Sequence, residues 1–197
     1  MEVGIMERRK WAIIFIALFI AIIIIIVSIV IKDHSTKVET KYSIHNNQKD
    51  IQQVLTYWEN RGNDKEHHIK LIKVVHLGKS DTYIAYFEVG SDMLGTATLK
   101  EGPNKKLDII RSHSGGGTTR YDGVKTDQGD YGIVTGKNTD KQIHSIRVEL
   151  QDDPLEFTVQ VPEQEYFIIV KKLPKGKGSK KFADLYLFDK NNIEIKP

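Results

Sequence analysis

Leu155-Glu156-Phe157-Thr158-Val159-Gln160-Val161 alternates apolar and polar side chains without a break. A β-strand sends successive side chains to opposite faces. This stretch therefore buries Leu155, Phe157, Val159 and Val161 and leaves Glu156, Thr158 and Gln160 in water. Upstream, Ile146, Val148 and Leu150 alternate with Arg147 and Glu149 in the same way. Asp152-Asp153-Pro154 between the two reads as a turn. Residues 131–135, 166–171 and 182–188 are further apolar runs, with 193–195 a short last one. Turn signals recur about every ten residues, the spacing of a small antiparallel β-sandwich.

Toward the N-terminus, residues 68–77, 82–89, 94–100 and 106–112 are rich in β-branched and aromatic side chains. Gly78-Lys79-Ser80-Asp81, Gly90-Ser91-Asp92 and Glu101-Gly102-Pro103-Asn104 separate them, which predicts an antiparallel meander. Before it, Ile51, Val54, Leu55 and Trp58 stand at i, i+3, i+4, i+7 and predict one helix with a core-facing side. Asn46 or Asn47 can cap its start, Asp50 suits its first turn, and Arg61-Gly62-Asn63 ends it. Residues 114–129 hold five glycines and few large apolar side chains. They are expected to join an α+β unit, residues 47–122, to a β unit, residues 123–197.

Farther upstream, residues 11–31 read WAIIFIALFIAIIIIIVSIVI, with one hydroxyl, Ser28, and no charge. At about 1.5 Å per residue this helix crosses about 30 Å of hydrocarbon. In lipid the backbone must satisfy its own hydrogen bonds, so a helix forms despite the β-branched isoleucines. Arg8, Arg9 and Lys10 precede the span; Lys32 follows it beside Asp33. The positive-inside bias puts residues 1–10 in the cytoplasm and residues 32–197 outside a cell membrane. The apolar run exceeds a usual signal-peptide core, and no small-x-small cleavage site follows it, which favours a signal anchor. Residues 32–46 are polar and unpatterned and are expected to be a tether. The fold class is thus a transmembrane α-helix followed by a β-rich ectodomain: helix plus antiparallel meander, then a small antiparallel β-sandwich.

The 197 residues are 40% hydrophobic and 28% charged, which excludes a disordered tail or a collagen-like fibre. The absence of cysteine excludes disulfides, thiolate metal sites and a cysteine nucleophile. A net charge of +3 gives no global field for nucleic acid. His67 and His68 are adjacent and on a strand point to opposite faces, so no metal site is expected, and nothing calls for a cofactor.

A family likeness lies in the C-terminal part. It is carried by Tyr131-Gly132-Ile133-Val134-Thr135-Gly136, Ile146-Arg147-Val148-Glu149-Leu150, Phe157-Thr158-Val159-Gln160-Val161-Pro162, Tyr166-Phe167-Ile168-Ile169-Val170 and Leu185-Tyr186-Leu187-Phe188-Asp189-Lys190-Asn191-Asn192-Ile193-Glu194-Ile195. This resembles the immunoglobulin-like extracytoplasmic domains of Gram-positive, Bacillus-like single-pass membrane proteins. Asn192 stands where those domains often carry a glycine. The resemblance implies a fold and a location, with no catalytic residues to transfer. The helix-plus-meander half resembles cystatin or NTF2-type envelope modules in layout.

Lys171, Lys172, Lys175, Lys177, Lys180 and Lys181 put six lysines in eleven residues, with Pro174, Gly176 and Gly178 among them. They are the candidate contact for an anionic envelope polymer, anionic headgroups or an acidic protein, at about 1 kcal/mol per lysine near an anionic surface. A solvated loop whose lysines guard strand edges is the alternative. No aromatic side chain is interleaved for base stacking, so nucleic acid is not expected as a partner. Residues 112–117, Ser112-His113-Ser114-Gly115-Gly116-Gly117, allow an envelope hydrolase, although they lack the G-x-S-x-G elbow. The expected function is a non-enzymatic binding or assembly module anchored in the bilayer through residues 11–31. A regulator of another membrane protein and the hydrolase are the alternatives.

Overall fold

The computed structural model describes residues 2–64, 66–91, 93–151, 153–177 and 182–195, with side chains from Ile16 onward except Ala17. The chain divides into two compact units, Met1–Ser43 and Ile44–Pro197.

The first unit is one helix, α1 (Glu2–Lys41). Its isoleucines from Ile20 to Ile31 are all exposed, and it is long and apolar enough to cross a membrane. The Ser28 hydroxyl donates to its own helix, at the Ile24 carbonyl, 2.8 Å away. The stretch expected to be a polar tether, residues 32–46, is helical as far as Lys41, where α1 ends. Extending a formed helix adds one hydrogen bond per residue without a new nucleus. Lys37 pairs with Asp33 one turn away at 2.7 Å and adds to this extension. Three residues after Lys41, Ile44 is buried and already paired with Leu107 through both backbone hydrogen bonds, 3.1 and 2.7 Å.

The second unit begins with α2 (Gln48–Asn60), capped as expected: the Asn47 side chain accepts from the Asp50 amide at 2.9 Å. The first sheet follows as a meander, β1 (Ile69–His76), β2 (Thr82–Val89), β3 (Met93–Glu101) and β4 (Leu107–Gly116). Then come β5 (Thr119–Thr126), β6 (Gly129–Lys137), β7 (Ser145–Leu150), β8 (Glu156–Gln160), β9 (Tyr166–Leu173), β10 (Ala183–Phe188) and β11 (Glu194–Ile195). They form a three-stranded sheet, β5-β6-β9, and a four-stranded sheet, β11-β10-β7-β8. All pairings are antiparallel.

Alternation along the strands assigns each side chain to a layer. Ala85 and Phe87 of β2 face Ile51 and Leu55 of α2, while Ile84 faces Tyr131 and Ile133 of the second sheet. Val134 and Phe167 of the second sheet face Ile146, Val148 and Leu187 of the third. The order is therefore helix, sheet, sheet, sheet. The last two layers are the expected sandwich, and Phe157, Val159 and Val161 pack into it as their alternation requires. The two inner sheets have both faces covered, so β2 and β6 are buried almost throughout.

The expected glycine-rich connector, residues 114–129, is instead the end of β4, all of β5, the turns that flank it and the first residue of β6. The expected boundary between 122 and 123 falls inside β5, whose residues pair with β6 from Thr119 to Thr126. In β5 Tyr121 packs toward the third sheet and Val124 toward the first, while buried Asp122 is held by polar partners and Gly123 has no side chain. Such a strand shows no apolar alternation.

Candidate functional site

The four described lysines of the cluster, Lys171, Lys172, Lys175 and Lys177, do not share one environment. Lys171 and Lys172 lie in β9, an edge strand of the second sheet, and both are exposed, as is Lys175 in the turn after it. None of these three makes an ion pair among the described residues. Lys177 folds back instead and pairs with Asp153 at 2.5 Å, its side chain 31% exposed and that of Asp153 only 6%. Lys180 and Lys181 lie outside the described residues. The β9 lysines occupy the free edge that charged side chains protect from pairing with another chain.

Ser112 and His113 are neighbours on β4 and project to opposite faces. The Ser112 hydroxyl donates to the carboxylate of Glu59 on α2. The His113 Nε2 meets Asp122 Oδ1 of β5 at 2.5 Å, and the Thr96 hydroxyl donates to Asp122 Oδ2 at 2.7 Å. No relay links Ser112 to His113, and Gly115 and Gly116 are strand residues. His76 is structural too: its ring stacks on Tyr83 with centroids 4.3 Å apart. Among the described residues no group of three or more His, Asp or Glu side chains could hold a metal ion.

A pocket of about 500 Å3 opens where β4, β5 and β10 meet. Periodicity could not find it, because β4 and β5 edge different sheets and β10 comes from a third. Arg111 and His113 reach it from β4, Arg120, Tyr121 and Asp122 from β5, and Phe182, Ala183 and Leu185 from β10 and the residue before it. Arg111 donates through Nε to the Thr98 hydroxyl at 3.2 Å and through Nη2 to the Gly123 carbonyl at 3.1 Å. Arg120 makes one long hydrogen bond, Nη1 to the Leu94 carbonyl at 3.4 Å. Neither guanidinium has a carboxylate partner among the described residues. Phe182 is 72% exposed at the pocket.

Tyr121 is buried, and its hydroxyl has no hydrogen-bond partner among the described residues. Burial pushes the phenol up to about 12, and the charges of Asp122 and Asp153 push the same way.

A second pocket, also about 500 Å3, is acidic, lined by Glu149, Asp153, Glu156 and Asp184 among others. Lys177 supplies a cation to it through the Asp153 pair. The lysine-rich turn and this acidic surface thus neutralise one another in part.

The arrangement defines a class: an apolar N-terminal helix followed by a β-rich body with a cationic, partly apolar pocket. No family model, curated protein or solved structure matches the chain.

Proposed function

We propose that the protein is a signal-anchored, single-pass membrane protein whose β-rich body lies outside the cell membrane and works as a non-enzymatic binding or assembly module. The observation that carries this is the pocket between β4, β5 and β10, where Arg111 and Arg120 have no carboxylate partner among the described residues and Phe182 is exposed beside them. Arg8, Arg9 and Lys10 before the span, against Lys32 and Asp33 after it, support the orientation. The sandwich order, β5-β6-β9 against β8-β7-β10-β11, supports the immunoglobulin-like reading, with β5 added in front of residue 123. The opposite-face projection of Ser112 and His113 favours a binding module over the hydrolase reading of residues 112–117. The exposed Lys171, Lys172 and Lys175 support a peripheral contact with an anionic envelope polymer or protein.

The test is crosslinking of the full-length protein in its native membrane, followed by pull-down. It is repeated with Arg120→Gln and with Lys171, Lys172 and Lys175 all changed to Gln. Capture of a partner by the native chain, weakened in either variant, is the expected result. A captured membrane protein would make the module a regulator. Absence of any captured partner, together with envelope-degrading activity abolished by Ser112→Ala, would overturn the proposal in favour of a hydrolase. A C-terminal reporter active only in the cytoplasm would overturn the orientation.

A further inference from the structure

The charges lining the β4–β5–β10 pocket are unevenly compensated. Both hydrogen bonds of Arg111 go to neutral acceptors, the Thr98 hydroxyl and the Gly123 carbonyl. The single bond of Arg120 among the described residues goes to the Leu94 carbonyl. Among the described residues lining the pocket Asp122 is the one carboxylate, and it turns its oxygens to Thr96 and His113. Two guanidiniums therefore retain unspent N–H donors. A planar guanidinium matches carboxylate and phosphate oxygens in paired, charge-assisted hydrogen bonds.

The other wall is apolar. Phe182 stands largely in water, with Ala183 and Leu185 following it along β10. An isolated exposed aromatic is ordinary. Here it lines the same pocket as the two arginines, so one occupant can meet both. The volume, about 500 Å3, falls in the range of small-molecule sites. A neutral occupant would strip water from the guanidiniums without replacing their hydrogen bonds.

Building on the binding-module reading, we propose that this pocket binds a small amphipathic anion, one carboxylate or phosphate group carried on an apolar body. Arg120 and Arg111 hold the head, and Phe182 and Leu185 cover the apolar part. The same chemistry is offered by a soluble amphiphile and by an anionic lipid headgroup with the first carbons of its chain.

The experiment uses the full chain in phosphatidylcholine nanodiscs, titrated with hexyl phosphate, inorganic phosphate or hexanol. Hexyl phosphate is followed by phosphorus NMR. The expected result is saturable binding of hexyl phosphate, about tenfold tighter than inorganic phosphate, with no saturable binding of hexanol. Arg120→Gln weakens hexyl phosphate about tenfold, and Arg120→Lys weakens it less. Phe182→Ser weakens hexyl phosphate while leaving inorganic phosphate unchanged.

Adding phosphatidic acid to the nanodiscs separates the sources: competition supports the proposal with a lipid headgroup as occupant, and its absence supports it with a soluble amphiphile. Equal binding of hexyl phosphate and inorganic phosphate would overturn the amphipathic half, and saturable hexanol binding the anionic half. Unchanged affinity in both Arg120→Gln and Phe182→Ser would overturn the site. Capture of a partner from the native membrane without hexyl phosphate binding would overturn this ligand class and leave the binding module standing.

Discussion

The phenol of Tyr166 donates to Glu88 Oε1 at 2.9 Å, joining β9 of the second sheet to β2 of the first across 78 residues of chain. Lys137 reaches the same oxygen at 2.9 Å and lies over the Tyr166 ring, 5.1 Å from its centroid. Burial opposes ionisation of Glu88. The hydrogen bonds from Lys137 and Tyr166, with the charges of Lys137 and Lys70, outweigh it and hold the carboxyl below the usual carboxylate range. Glu88 therefore stabilises the fold fully above its ordinary value of 4.5, and this contribution is lost as pH falls through the lower folded value. Glu88→Gln should flatten the acid limb of stability against pH, read by urea unfolding of the full-length protein in detergent. Glu88→Ala should cost about 3 kcal/mol, since it leaves Lys137 without its partner. An unchanged acid limb in Glu88→Gln would mean that the Glu88, Lys137 and Tyr166 contacts do not govern acid stability.

Gln52 of α2 treats the edge of β1 as a neighbouring strand would. Its amide nitrogen donates to the Ile69 carbonyl and its oxygen accepts from the Leu71 amide, both at 2.6 Å. Asn60, two turns on, does the same for the carbonyl and amide of His67, at 2.9 and 2.6 Å. Gln52→Ala should expose both β1 groups and cost about 1–3 kcal/mol. Gln52→Glu should keep the contact to Leu71 and lose the donor to Ile69. Hydrogen exchange at the Leu71 amide should accelerate strongly in the alanine variant and less in the glutamate one.

The strands with one wet face were legible in the sequence: Ile146 against Arg147 and Phe157 against Thr158 assign their own sides. The start of α2 was legible too, because Asn47 and Asp50 sit at the cap spacing. Strand β5 was not, since its buried Asp122 depends on Thr96 and His113, partners 26 and 9 residues away. The polar end of α1 was hidden because its residues carry no apolar pattern. The lysines were visible as a cluster, whereas the Lys177–Asp153 pair needed the third dimension. So did the pocket, whose arginines and Phe182 are about sixty to seventy residues apart in the chain.

Tyr121 gives a prediction of opposite sign. Its hydroxyl is buried without a hydrogen-bond partner among the described residues. A buried, unsatisfied hydroxyl costs about 1–3 kcal/mol of desolvation, while its ring fills the sandwich core beside Phe157, with ring centroids 6.5 Å apart. Tyr121→Phe keeps the ring and removes the hydroxyl. It should raise the urea midpoint by the equivalent of about 1 kcal/mol. A fall of that size would mean the hydroxyl is satisfied in solution.

The lysines make the last prediction, and it divides them. Lys171, Lys172 and Lys175 are exposed, whereas the Lys177 ammonium is spent on Asp153 at 2.5 Å. Near an anionic surface each free lysine contributes about 1 kcal/mol, so changing all three to Gln should remove most of any polymer contact. Changing Lys177 alone to Gln should affect retention little and stability more, because it leaves the Asp153 carboxylate buried without this cation. The readout is the salt concentration at which full-length protein in neutral nanodiscs elutes from immobilised dextran sulfate. The triple variant should elute at markedly lower salt and Lys177→Gln close to the native chain, since screening acts on exposed charges. Equal elution of the triple variant and the native chain would reduce the β9 lysines to edge protection.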